Sequence, residues 1–465
     1  MRVYFTNLGC KLNQAEIESF ARDFLAAGHE VVGSLSDADL HVVNSCTVTQ
    51  TAARSSRKAA GRGRRPDLRT VLTGCYASDP TAAARLAGVD LVVPNAEKDR
   101  LLERVHAAFP GFVPETGESG IPVPYVPLPF GNTRALLKVE DGCNMRCAFC
   151  IIPQTRGRQR SRPPEELIAE ARSLTAAGYQ ELVVTGVQIS AYRWEGQGLF
   201  ELATALLRES GAPRLRLTSI APWDLDERLL TLWSDPRSSS LLCRHLHLSL
   251  QSGAIATLRR MRRPYTADSY ARLLERVRAA IPGVAVTTDV IVGFPGETDA
   301  EFAESLAFVE SAGFAKIHAF PFSPRPGTEA ATLPDPVHPA TLRERMERML
   351  AAAARSEIDF RRAALGQRAT VLWERPRDGM GQGLTDNYIR VLSPEGAALW
   401  NRFSEVELVA VVEDGVMSAS IPPAPESDTA RTSGTAETRT TPPRPESLPP
   451  AIRGSRSPRS PDSAA

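Results

Sequence analysis

The stretch Glu140-Asp141-Gly142-Cys143-Asn144-Met145-Arg146-Cys147-Ala148-Phe149-Cys150 decides how the chain is read. Its cysteines are spaced Cys-x3-Cys-x2-Cys, directly after the run Leu136-Leu137-Lys138-Val139, which predicts a β-strand. Loops at the carboxyl ends of parallel barrel strands are where such folds place their chemistry, and a compact loop can aim three thiolates at one iron-sulfur cubane. Three protein ligands leave one iron open, and an open position distinguishes a reactive metal site from a closed structural one. A zinc site or plain buried thiols are the alternatives. Zinc takes a fourth nearby ligand, however, and no His or Cys follows within this loop.

Working downstream, further strands are predicted at Leu182-Val183-Val184, Leu215-Arg216-Leu217, His245 to Ser249, Val284 to Val292 and Lys316 to Phe320, separated by helical stretches. Six strand-helix units predict an open (β/α)6 barrel over residues 130–362. Upstream, Val3-Tyr4-Phe5, Leu40-His41-Val42-Val43, Thr70-Val71-Leu72 and Leu91-Val92-Val93 alternate with helical patterns, which predicts an N-terminal doubly wound parallel sheet over residues 1–109. Residues 110–129 are rich in Pro and Gly and read as a linker. The helical stretch Leu342 to Arg362 ends near Gly366; Ala369-Thr370-Val371-Leu372-Trp373 and Val406 to Val412 then predict a small C-terminal all-β domain over residues 363–421. Residues 422–465 are dominated by Pro, Ser, Thr, Arg and Glu, a composition that predicts a disordered tail. The fold class is α/β.

Across its 465 residues the chain carries a formal charge of +1, so no global field marks nucleic acid or membrane as a partner and any basic site must be local. No segment resembles a signal peptide or a membrane span, and the expected location is the cytoplasm, with no membrane partner. Seven cysteines are too few for a disulfide scaffold and point to metal binding, catalysis or burial.

Cys10, Cys46 and Cys75 share one context. In Leu8-Gly9-Cys10, Asn44-Ser45-Cys46 and Thr73-Gly74-Cys75, each follows a predicted parallel strand and precedes a predicted helix. The ligand crevice of an open α/β sheet lies outside the carboxyl ends of its strands, so these thiols are expected to converge there. Three unrelated buried thiols are the plain alternative. Cys243, in Leu241-Leu242-Cys243, fits neither pattern and reads as a small buried hydrophobe.

The Cys143–Cys150 spacing, with Phe149 before the last cysteine, resembles the radical S-adenosylmethionine (SAM) superfamily. Cys150-Ile151-Ile152-Pro153 and Arg156-Gly157-Arg158 look like its methylthiotransferase branch, as do Leu8 to Gln14, Val43 to Thr49 and Thr73-Gly74-Cys75. The resemblance implies two 4Fe-4S clusters, one on Cys143, Cys147 and Cys150, the other on Cys10, Cys46 and Cys75. It further implies SAM bound near Phe149, Gly186, Gln188, Ser249, Gln251, Asp289 and Gly293, which lie in the cysteine loop or at predicted strand ends. Ala221 departs from the pattern, since relatives commonly carry Glu there. The implied chemistry is one-electron cleavage of SAM to a 5'-deoxyadenosyl radical, with sulfur held or supplied at the second cluster and a methyl group from another SAM. A flavodoxin-like or ferredoxin-like electron donor and a sulfur source are implied as partners. No general acid or base is named by the sequence.

Gly383-Leu384-Thr385-Asp386-Asn387-Tyr388-Ile389-Arg390-Val391 resembles the TRAM domain, a small β-barrel of RNA-modifying enzymes. Arg368, Tyr388 and Arg390 are therefore expected RNA contacts, with a neutral accessory barrel as the alternative. Arg54, Arg57, Lys58, Arg62, Arg64, Arg65 and Arg69, against the single acid Asp67, form a local basic run able to neutralise phosphates; Arg57 and Lys58 are its leading candidates. The plain reading is a solvated helix face. Cys46-Thr47-Val48-Thr49 with Ala53, Ser56, Arg57 and Lys58 most resembles the branch that acts on tRNA threonylcarbamoyladenosine at position 37. Isopentenyladenosine in tRNA and an aspartate of a ribosomal protein are the alternative substrates, and a non-catalytic, metal-containing RNA-binding protein is the remote one.

Overall fold

The computed structural model describes residues 1–63, 65–79, 88–112, 133–413 and 415–420. The N-terminal unit comprises β1 (Arg2–Asn7), α1 (Lys11–Ala26), β2 (Glu30–Val31), β3 (Leu40–Ser45), α2 (Gln50–Ala60), β4 (Arg69–Gly74), β5 (Leu91–Val93) and α3 (Leu101–Ala108). Its strands are all parallel, in the order β2-β1-β3-β4-β5. Apolar side chains cover both faces, as a parallel sheet between helices requires. Val3, Phe5, Val42 and Val71 pack with Ile17, Phe20 and Phe24 of α1 on one side, while Val43 and Leu72 meet Ala53 and Ala59 of α2 on the other. The expected linker begins with a single turn at Pro110–Phe112; its remainder and the expected tail lie outside the described residues.

The central unit runs through β6 (Arg134–Lys138), β7 (Glu140–Asp141), α4 (Ile152–Thr155), β8 (Arg160–Ser161), α5 (Pro164–Ala176), β9 (Glu181–Thr185), α6 (Leu199–Glu209), β10 (Arg214–Leu217), α7 (Arg228–Thr231), β11 (His245–His247), α8 (Ile255–Arg260), α9 (Ala267–Ala280), β12 (Ala285–Val292), α10 (Asp299–Ser311), β13 (Lys316–Pro321) and α11 (Pro339–Ala363). β6, β9 and β10 form one parallel sheet and β11, β12 and β13 another. The bridges Leu215–Leu242 and Ile220–Leu248 join them into six strands in barrel order. This is the expected open (β/α)6 barrel. Along β6 and β9, Ala135, Leu137, Leu182 and Val184 face the helices, whereas Leu136 and Val183 face the other way and receive Ala15 of α1. The N-terminal unit thus packs against the inner face of the barrel.

The C-terminal unit, β14 (Arg368–Trp373), β15 (Gly381–Thr385), β16 (Arg390–Ser393), β17 (Phe403–Val412) and β18 (Gly415–Ser420), closes into a five-stranded barrel around buried Trp373, which matches the expected small all-β domain. It docks on the end of the central barrel where the strands begin. Glu181, fully buried, pairs with Arg214 (2.6 Å) and Arg216 (2.7 Å), and these arginines donate to the carbonyls of Leu384, Thr385 and Asp386. Tyr388 stacks on His245 with ring centroids 4.4 Å apart and lies beneath the Arg216 guanidinium. Its ring is therefore spent on this seam rather than presented as a stacking platform for RNA. Among the described residues, no helix is long and apolar enough to cross a membrane.

Candidate functional site

Cys143, Cys147 and Cys150 occupy the loop that follows β7. The loop forms because Gly142 takes φ +76°, which any side chain would resist, and because a Cβ there would lie 2.2 Å from the Arg158 carbonyl oxygen. Cys143 N–H donates to the Gly157 carbonyl (3.1 Å) and Ala148 N–H to that of Met261 (3.1 Å), fixing both ends of the loop. Arg263 approaches Cys147 Sγ at 3.6 Å and lies over the Phe149 ring. Burial pushes the Cys143 thiol up, and that of Cys150 up to about 12. Such thiols are protonated at neutral pH, so loading iron on them releases protons.

The other three cysteines meet at the carboxyl edge of the N-terminal sheet. Gly9 adopts φ +104°, and a Cβ on it would stand 2.7 Å from Cys46 Cβ and 2.9 Å from Cys46 Sγ, so only glycine lets the Cys10 loop pass beneath the Cys46 thiol. Asn13 holds the same junction by donating to the Leu8 and Ser45 carbonyls. Cys75 N–H donates to the Ser45 carbonyl (2.9 Å). Burial drives the Cys46 thiol up to about 12, while Cys10 stands exposed at the edge. Among the described residues no three His, Cys, Asp or Glu side chains are grouped to share a single metal ion. The ligands of a cubane bind different irons and stand further apart than those of one ion.

A mainly apolar cleft of about 210 Å³ lies between the segment that follows Cys46 and the Cys143–Cys150 loop, lined by Val48 and Thr49 from the first, by Phe149, Cys150 and Ile152 from the second, and by Gln251, Asp289, Ile291 and Phe320. Val48 and Phe320 are exposed, at 46% and 44%. Three of the residues expected at SAM, Phe149, Gln251 and Asp289, meet in this cleft, and Ser249 hydrogen-bonds to Asp289. Although burial works against it, hydrogen bonding from His247 holds the Asp289 carboxylate below its usual range. Gly186 and Gln188 instead flank Glu140. A Cβ on Gly186 would be 2.2 Å from Glu140 Oε1, and that oxygen accepts from Gln188 N–H at 2.6 Å. Gly293 sits apart, its missing Cβ making room for Leu342 of α11.

Glu140 and Arg156 are the residues whose importance the sequence did not reveal. Burial pushes the Glu140 carboxyl up to about 7, and its Oε2 has no hydrogen-bond partner among the described residues. Ala221 supplies no carboxylate, but Asp224, three residues on, accepts from the Gln188 side chain. Arg156, quoted only as part of a motif, reaches Cys75. Of the basic run, Arg65 and Arg69 are engaged with Asp67 and Asp90, and Arg64 lies outside the described residues; Arg54, Arg57, Lys58 and Arg62 stay exposed on and just after α2, with Arg57 also over the Tyr76 ring. Arg368 and Arg390 are exposed on the C-terminal barrel. Cys243 is buried, as expected.

Comparison with known proteins bears on this arrangement directly. A model of the radical SAM superfamily matches residues 137–309, and one described as uncharacterized protein family UPF0004 matches residues 2–93. Threonylcarbamoyladenosine tRNA methylthiotransferase MtaB of Bacillus subtilis (strain 168) is 36% identical over 410 residues, covering 84% of this chain and 90% of that protein. The chain belongs to the radical SAM methylthiotransferase family. Other members are similarly close: MtaB of Aquifex aeolicus (strain VF5) is 35% identical, covering 84% of this chain and 96% of that one. The tRNA-2-methylthio-N(6)-dimethylallyladenosine synthase of Novosphingobium aromaticivorans is 36% identical, covering 81% and 88%. Among solved structures, the radical SAM methyltransferase TsrM from Kitasatospora setae with tryptophan substrate and a SAM analogue bound superposes with a TM-score of 0.52 at 17% identity, covering 71% of this chain and 75% of that one; the likeness is one of fold. Membership of the family implies a 4Fe-4S cluster and SAM, and the strand-end loop carrying Cys143, Cys147 and Cys150 fits them.

Proposed function

We propose that the protein converts threonylcarbamoyladenosine at position 37 of tRNA to its 2-methylthio derivative, using a second 4Fe-4S cluster on Cys10, Cys46 and Cys75. The observation that carries the two-cluster reading is the cleft lined by neighbours of Cys46 on one side and by Cys150 on the other. A base held there lies between the radical source and the sulfur source. When bound, the first cluster with SAM supplies a 5'-deoxyadenosyl radical and the second supplies sulfur. The chain's own residues bind, orient and exclude water. Glu140, with an unpaired buried Oε2, provides the acceptor for the SAM ammonium, Gly186 leaves space beside it, and Phe149 and Ile152 keep water from the radical. Arg54, Arg57, Lys58 and Arg62, on and just after α2, which begins a few residues after Cys46, bind tRNA phosphates.

The choice of nucleoside rests on the two MtaB relatives. The apolar lining of Val48, Ile152, Ile291 and Phe320 favours a second reading, an isopentenyl side chain, which the dimethylallyladenosine synthase relative makes concrete. Nucleoside mass spectrometry of tRNA from a deletion strain separates them. Loss of 2-methylthio-threonylcarbamoyladenosine supports the first; its retention, with loss of the isopentenyl counterpart, replaces it with the second.

A further inference from the structure

The ionic network buried between the N-terminal and central units is built around one arginine. Arg156 follows the Cys143–Cys150 loop at the end of α4, yet its guanidinium crosses into the N-terminal unit. Its Nε–H donates to Cys75 Sγ at 3.1 Å, Nη1 contacts Glu16 (2.8 Å) and Asp141 (2.9 Å), and Nη2 contacts Asn13 (2.6 Å). The side chain is 1% exposed. Lys98 and Lys138 complete the network, each touching both Glu16 and Asp141. Three cations thus share two carboxylates. A buried cation in excess is costly unless an anion faces it, and the group opposite Arg156 Nε is the Cys75 sulfur. As a metal-bound thiolate, Cys75 supplies the missing negative charge.

We infer that Arg156 is a positioning residue for the second cluster: through its N–H···S bond to Cys75, the radical domain itself sets the reduction potential of the cluster in the N-terminal domain. The inference rests on the two-cluster reading above. Hydrogen bonds to ligand sulfurs favour the more negative, reduced cluster and raise its potential. Because donor and acceptor lie 81 residues apart on different domains, the second cluster reaches its working potential only when the domains are docked.

The test uses the full-length chain with Cys143, Cys147 and Cys150 changed to Ala, so that iron can load only at the second triad. The cluster is titrated with dithionite and followed by electron paramagnetic resonance, with and without Arg156→Lys or Lys98→Met. Arg156→Lys keeps the charge but loses the planar donor, whereas Lys98→Met damages the same network without touching Cys75. At the parent's midpoint, the reduced-to-oxidised ratio should fall at least about tenfold in Arg156→Lys, the worth of one charge-assisted hydrogen bond. Lys98→Met, which removes a network charge but no bond to Cys75, should lower it clearly less. Failure of Arg156→Lys alone to hold iron overturns the potential-setting role in favour of a purely structural one. Equal potentials in all three proteins, or an equal shift in both variants, overturns it; a parent that binds no iron overturns the two-cluster reading instead.

Discussion

Gly9→Ala tests how tightly the fold constrains the N-terminal triad. The added methyl would sit 2.7 Å from Cys46 Cβ and 2.9 Å from Cys46 Sγ, where carbon contacts prefer about 3.5 to 4.0 Å, so roughly 1 Å of displacement is forced on one partner. The backbone cannot relax freely, because φ is +104° and an L-residue there costs on the order of 1–3 kcal/mol. That loss is survivable for a domain stable by about 5–15 kcal/mol. Metal and catalytic constellations, by contrast, tolerate only about 0.5 Å of error. Gly9→Ala should therefore fold but drop from roughly eight irons per chain to roughly four after anaerobic reconstitution, retain 5'-deoxyadenosine formation and lose methylthiolated product. Iron analysis and chromatography of the same sample decide it. A variant with full iron and normal product would refute the claim that this glycine cradles the Cys46 thiol.

Three further outcomes follow from named contacts. Glu140 binds its proton more tightly when folded, at about 7 against an ordinary 4.5, so it contributes stability at low pH that is lost as pH rises through 7. Wild type should lose up to about 3 kcal/mol across this window relative to Glu140→Gln, read by urea denaturation of the apoprotein at each pH; parallel pH profiles would contradict it. Glu181→Ala strands Arg214 and Arg216 in the seam and should cost about 3–5 kcal/mol with earlier proteolytic release of the C-terminal barrel, whereas a loss below about 1 kcal/mol would show that the seam does not depend on this carboxylate. Arg57→Ala with Lys58→Ala should weaken tRNA binding and reduce the slope of log K against log salt by about 1.4 to 1.8; an unchanged slope would place the phosphates elsewhere.

The six barrel strands were legible because they are short apolar or alternating runs between helical stretches, and both cysteine triads were legible because they sit at strand ends. The two-residue β2 has too little sequence to signal itself. Arg214-Leu215-Arg216-Leu217 reads as a half-solvated strand by its alternation, yet both arginines are buried, since the C-terminal barrel covers that face. Tyr388 is engaged in the same seam, stacked on His245. Arg156 could not be connected to Cys75 from sequence, because that contact depends on how two domains meet rather than on any local pattern. Glu140 reads as one more polar residue before the cysteine loop; only burial beside Gly186 makes its carboxyl unusual.

The division of labour between the triads is the central claim, and one measurement addresses it most directly: 5'-deoxyadenosine and methylthiolated nucleoside quantified together from reconstituted Cys46→Ala, beside Cys143→Ala, with tRNA, SAM and reductant. Cys46→Ala should still form 5'-deoxyadenosine but no methylthiolated nucleoside, while Cys143→Ala should form neither. Equal loss of both products in Cys46→Ala, or methylthiolated nucleoside persisting there, would contradict it.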